Sequence, residues 1–178
     1  KLLVLETEPN NSDLLEILSS HSRPNDQILH FILPLLEHEQ LDVRIAAMGL
    51  VKAWKNDECR VIAQEMCIDA DAPELLRFAA IQAVGVLGGK DSAEILSRIA
   101  TDASSAYKAS AVVSMLAIDK QRAAKLAAKV MADGPKDEIV SRILTGFVGR
   151  KEGGSFLADS LKLVKLSHSQ RSRIREVW

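Results

Sequence analysis

Along most of this chain apolar residues recur at intervals of three and four, the spacing of an amphipathic helix, and Gly, Pro, Asn or Asp interrupts each run. The stretch LLRFAAIQAVGVL, Leu75–Leu87, is the centre of the pattern, which returns on either side of it. Val43-Arg44-Ile45-Ala46-Ala47 moved forward by 33 positions falls on Leu76-Arg77-Phe78-Ala79-Ala80. A further 31 positions on, Tyr107-Lys108-Ala109-Ser110-Ala111 keeps the base and the small residues. By Glu138–Arg142 the match has faded, as happens in repeat arrays whose terminal units vary. Paired alanines let one helix approach another closely while Leu, Ile and Val fill the flanking gaps.

Between these inner helices runs a more polar set, each opened by an aspartate: Asp57 before ECRVIAQEMC, Asp91 before SAEILSRIA and Asp119 before KQRAAKLAAKVM. A carboxylate there accepts from the free N–H groups of the first turn and faces the positive helix end, so all three are predicted N-caps. In order, the pattern predicts a helix remnant at Lys1–Leu5, a break at Pro9, and a helix capped by Ser12 and running to Ser20. Asn25 or Asp26 opens the next, which Pro34 should kink or split near His30–Phe31. Helices follow over Leu41–Lys55, Asp57–Ile68, Leu75–Leu87, Asp91–Asp102, Ser105–Ile118, Asp119–Ala132, Lys136–Val148 and Ser155–Leu166, with another beginning at His168. Gly149-Arg150-Lys151-Glu152-Gly153-Gly154 has no preceding strand and lacks the ending of a phosphate loop, so it reads as a turn.

The fold class is therefore all-α, and the fixed interval predicts an α-solenoid of about five stacked helical hairpins. A single elongated domain, 1–178, is expected. The chain begins at Lys1 without Met and stops at Trp178 inside a helical pattern, which reads as a segment of a longer polypeptide.

The inner helices are apolar around nearly their whole circumference, which calls for cover on more than one side. In a curved stack they line the concave surface, so Phe78, Ile81, Gln82, Val86, Val112 and Val113 are the candidate partner-binding residues. Arg44, Arg77 and Lys108 share one repeat position and are expected to form a structural ladder of hydrogen bonds to the turn aspartates Asp42, Asp71 and Asp102.

Composition narrows the functions. Aromatic residues are 4% and the net charge is −1, giving no global pull toward nucleic acid or an acidic membrane. No apolar run approaches the ~20 residues that cross a bilayer, so no membrane insertion is expected. Cys59 and Cys67 lie on one helix about 12 Å apart at 1.5 Å rise per residue, too far for a disulfide, and read as core thiols. His21, His30, His38 and His168 are scattered with no partnered nucleophile or carboxylate. No catalytic, cofactor-binding or metal-binding residue is predicted, and the chain does not read as an enzyme. Arg171, Arg173 and Arg175 alternate around the last helix rather than forming one stripe.

On LDVRIAAMGLVKAW and PELLRFAAIQAVGVLGGKDSAEILSRI the chain resembles HEAT repeats of the short bacterial kind, related to those named after phycobilisome lyases and to the armadillo-type superhelix. The resemblance covers roughly Gln27 to Leu166. QLDVR and DAPELLR replace the usual Asp-Pro before the apolar-Arg pair. AYKASAVVSMLAIDKQRAAKLAAKVMADG and ILTGFVGRKEGGSFLADSL are similar to the HEAT segment of large planctomycete and verrucomicrobial proteins. Those resemble membrane-bound dehydrogenases and often carry a separate c-type haem domain with CxxCH. This implies a bacterial, exported or periplasmic multidomain protein in which the segment is a non-catalytic scaffold, binding protein in cis or in trans. CxxCH does not occur here, so no haem site carries over and the expected cofactor is none. Two alternatives are a nucleic-acid-binding domain like the HEAT-like DNA glycosylases, using Arg44, Lys52, Arg77, Lys108 and the C-terminal arginines, and a bilin-lyase-like enzyme. The charge balance favours neither.

Overall fold

The structure is a computed structural model that describes residues 15, 17–21, 23, 30–102 and 104–177. The expected elements at Lys1–Leu5, Pro9, Ser12, Asn25 and Asp26 lie outside the described residues. Ten α-helices and one 3-10 turn follow from residue 32 onward, residues 15 and 17–19 are also helical, and no strand occurs among the described residues.

The first unit by packing is Lys1–Leu87. In it α1 spans Ile32–Leu36, α2 Leu41–Trp54, α3 Arg60–Ile68 and α4 Glu74–Leu87, with a 3-10 turn at Asp57–Cys59 leading into α3. Pro34 falls in the first turn of α1, where its missing N–H is not needed. Helix α2 packs on α1 and α4, and α4 also pairs with α3. Each of these contacts buries Leu, Val and Ala: Val43, Ala47, Leu50 and Val51 from α2, and Leu76, Ala80, Ala83 and Val84 from α4, are all but excluded from solvent.

The second unit is Gly88–Trp178. It holds α5 Lys90–Thr101, α6 Lys108–Met115, α7 Lys120–Ala132, α8 Asp137–Val148, α9 Gly153–Leu161 and α10 His168–Val177. Its helices pack in two series: α5 on α7 and α7 on α9, then α6 on α8 and α8 on α10, with α5–α6, α6–α7 and α8–α9 joining the series. Ala123, Ala124, Ala127 and Ala128 bring α7 close to its neighbours, while Phe147, Ile143, Leu144 and Met131 fill the spaces between helices.

Helix ends differ from the sequence expectation where capping groups compete. Asn56, not Asp57, takes the cap before the 3-10 turn: its buried side chain accepts from the Glu58 N–H at 3.3 Å. A neutral amide fits that enclosed position better than a carboxylate, whose charge would be costly to bury. Asp57 stays exposed and ion-pairs with Arg60. Asp91 is also displaced from the cap. Gly88 and Gly89, with φ of 70° and 91°, turn the chain sharply enough that α5 begins at Lys90, leaving Asp91 in the first turn beside the positive helix end. Asp119 does cap α7, accepting from the Arg122 N–H at 2.9 Å. Ser167 and Gln170 form a reciprocal capping box at the start of α10.

The residues Gly149–Glu152 form a turn, and α9 starts at Gly153, where a Cβ would overlap the Phe147 carbonyl oxygen and only glycine fits. Gly146 has a comparable role inside α8. A Cβ at Gly146 would sit 2.5 Å from Cγ2 of Val113 on α6, so the α6–α8 contact closes only because position 146 lacks a side chain. Val is stiff at χ1 and cannot swing aside. Gly146→Ala should therefore lower unfolding free energy by about 1–3 kcal/mol despite alanine's better helix propensity. Urea melts check this, and Val113→Ala in the same chain should recover part of the loss; additive losses would mean that the two residues do not meet.

Candidate interaction surface

The expected inner-face residues separate into two groups. Phe78, Gln82 and Val86 are half-buried along one line of α4, with Leu75, 64% exposed, just before them. Ile81 and Val112 are 0% exposed and cannot meet a partner without unfolding, which corrects their assignment to a binding surface. The cause is local: α4 is flanked by α2 and α3, and α6 by α5, α7 and α8, so these apolar circumferences are covered inside their own units. Val113 is half-buried and faces Gly146, as a packing residue.

In the first unit the half-buried line on α4 has a counterpart on α2. Ile45, Gly49 and Ala53 precede Phe78, Gln82 and Val86 by the same 33 positions, and all three retain some exposure. A Cβ added at Gly49 would meet nothing within 4 Å. The two helices are tied along this side by Lys52, whose Nζ donates to Gln82 Oε1 at 2.8 Å.

The residues of the expected ladder stand in different surroundings. Arg77 donates from Nε to the Cys67 carbonyl at 3.1 Å, at the last turn of α3. Arg60 does the converse, donating to the Leu87 carbonyl at 2.9 Å, at the last residue of α4. Each helix of this pair thus supplies a cation to the other's negative end. The turn aspartates serve their own turns: Asp69 accepts from the Asp71 N–H and Asp102 accepts from the N–H and hydroxyl of Ser104. Arg44 keeps a buried Nε with no hydrogen-bond partner among the described residues. Lys108 opens α6 half-buried. One repeat position therefore holds three different environments.

In the second unit, Gln170 makes a similar link. Beyond its capping box it donates from Nε2 to the Met131 and Ala132 carbonyls, at 3.1 and 3.0 Å, closing the end of α7. The Ser167-His168-Ser169-Gln170 spacing was the available signal for the box; its reach to α7 had no signal in sequence. Arg173 ion-pairs with Asp137 at 2.9 Å on one side of α10, whereas Arg171 and Arg175 share the other side.

The histidines are apart. His21 Nδ1 lies 2.8 Å from the Ile17 carbonyl, His30 pairs with Glu58 at 2.9 Å, and His38 accepts from the Gln40 N–H at 3.1 Å, while His168 begins α10. Among the described residues no group of three or more His, Cys, Asp or Glu is placed to hold a metal ion. No described helix is long and apolar enough to cross a membrane. Cys59 and Cys67 are free and fully buried. Burial, and secondarily the Glu58 charge, pushes the Cys59 thiol up to about 11. Burial pushes Cys67 up to about 12 against the smaller opposing influence of Arg77.

No family model, curated protein or solved structure matches the chain.

Arg77→Met should cost about 1–3 kcal/mol, because it removes a charge-assisted hydrogen bond to a helix end. Arg44→Met should be neutral or stabilising by up to about 1 kcal/mol, because it relieves a buried donor without a partner. Parallel chemical denaturation of the two variants separates these outcomes, and equal losses would show a common ladder role. The thiols should resist a disulfide reagent at pH 8 in the native chain and react fully in denaturant. Their raised folded-state pKa values favour the protonated form, so their stabilisation is complete below the ordinary value of 9.0 and is lost as pH rises toward 11 to 12. The loss over that window should be smaller in the Cys59→Ala/Cys67→Ala chain.

Proposed function

We propose that this chain is a non-catalytic scaffold of the HEAT-like α-solenoid kind that binds protein through the α2–α4 side of its first unit. The alternate packing of α2 on α4, of α5 on α7 and α7 on α9, and of α6 on α8 and α8 on α10 supports stacked hairpins, the arrangement implied by the repeat interval. The single observation that carries the binding assignment is the paired line Ile45-Gly49-Ala53 and Phe78-Gln82-Val86. It is apolar for the most part and repeated at 33 positions, and it remains accessible where the other inner residues are covered. Phe78 offers a rigid anchor, and Gly49 an open place where a partner side chain can approach the helix backbone.

The nucleic-acid reading needs free cations along this side. Lys52 is bonded to Gln82 and Arg77 to the Cys67 carbonyl, which leaves the proposed face poorly suited to phosphate.

Gly49 gives a clean test, because a side chain there meets open space among the described residues and any replacement but proline improves helix propensity. Gly49→Ala should stabilise the chain by about 0.5–1 kcal/mol. A photo-crosslinker at Phe78, in the cell that makes the protein, should yield one defined protein adduct, and Gly49→Glu should abolish it while helicity and melting temperature hold. A crosslinker at exposed Glu65 on α3 serves as the control. Adducts no different from that control, or an adduct indifferent to Gly49→Glu, would sink the assignment.

A further inference from the structure

A groove of about 410 Å³ lies at the C-terminal hairpin of the second unit, between α9 and α10. Leu161, Val164, Leu166 and Ile174 give it an aliphatic floor, and Arg171 and Arg175 stand along one side. The two arginines are four residues apart on α10, hence neighbours on one helix face. Neither guanidinium has a hydrogen-bond or ion-pair partner among the described residues. Lys162 on the groove is paired with Asp159 at 2.7 Å, and no carboxylate among the described residues lines the groove. Like charges at i, i+4 weaken a helix, so folding alone gives no reason to hold two unpaired cations beside an apolar floor.

We infer that this groove is a docking site for an acidic amphipathic helix of a partner protein. Three features of the groove set that chemistry. The floor asks for aliphatic side chains at i, i+3 and i+7, the spacing with which a helix fills a groove. The arginines ask for carboxylates spaced one turn apart, which an incoming helix supplies at i and i+4. The groove is open along its length instead of enclosing its contents, which suits a segment that brings its own solvated face better than a small molecule that needs burial on most sides. With α9 and α10 about 14 and 15 Å long at 1.5 Å per residue, the trough accepts between two and three turns. This surface is separate from the α2–α4 face and does not depend on its assignment.

The test uses the full chain and a fluorescein-labelled stapled helix of about four turns, carrying leucines at i, i+3 and i+7 and glutamates at i+4 and i+8. Fluorescence anisotropy should show saturable binding that weakens with added salt and falls about tenfold or more in Arg171→Glu/Arg175→Glu. Arg171→Lys/Arg175→Lys should retain most of it, and Arg173→Glu, whose arginine is committed to Asp137, should leave it nearly unchanged. Ile174→Ser should weaken binding at every salt concentration, because it changes the floor and not the charge. All these positions except half-buried Ile174 are exposed, so circular dichroism should report intact folds. Absence of saturable binding, or equal binding of a peptide with lysines in place of the glutamates, would overturn the proposal. So would peptide binding that ignores the Arg171/Arg175 pair. Binding of phosphatidylserine vesicles through these arginines without peptide binding would assign the groove to a lipid surface instead. Self-association of the chain abolished by Arg171→Glu/Arg175→Glu, seen by light scattering, would assign it to a second copy.

Discussion

Every helix leaves its last carbonyls without intrahelical donors, and in a protein built of helices only 8 to 14 residues long over most of its length that obligation recurs at every turn. At three ends this chain meets it from a neighbouring helix. Arg77 and Arg60 exchange donors across α3 and α4, each reaching the other helix's last turn. Gln170 closes α7 from the start of α10, and Trp54 Nε1 donates to the His21 carbonyl at 3.2 Å. Such contacts do more than satisfy a polar atom. In the Arg60, Arg77 and Gln170 bonds the acceptor lies at a helix end and the donor near another helix's start, so each bond forms at one register of the pair only. A layer of sliding Ala and Leu contacts, which is tolerant of small displacements, is thereby fixed in place.

Helical alternation was legible because each run has its own apolar period and its own punctuation. The predicted boundaries from Leu41 onward fall close to the observed ones, with α6 and α9 ending earlier than the pattern suggests. At α6 the chain leaves the helix through i→i+3 bonds from Leu116, Ala117 and Ile118, a tightening that periodicity does not encode. Cap identity was only partly legible. Asp119 could be read locally, but the choice of Asn56 over Asp57 depends on how enclosed the turn is, and enclosure is tertiary. The same limit explains the ladder. Arg44 and Arg77 look alike in sequence, yet only Arg77 finds a carbonyl, because its partner helix happens to end beside it.

The binding face shows this dependence most directly. Gly49, Gln82 and Val113 stand at one repeat position, 33 and then 31 residues apart. Val113 is packed against Gly146, which has given up its side chain to receive it. Gln82 is half-buried and answers a lysine from the adjacent helix. Gly49 faces open space. A glycine inside a helix costs about 0.5–1 kcal/mol relative to alanine, and Gly146 offsets that cost by admitting a neighbour. Gly49 admits no neighbour within the described residues, so its own fold gives it no compensation. A position that weakens its helix without serving packing is a position whose compensation comes from contact with something else. The line through Ile45, Gly49 and Ala53, beside Phe78, Gln82 and Val86, is where that contact is best accommodated.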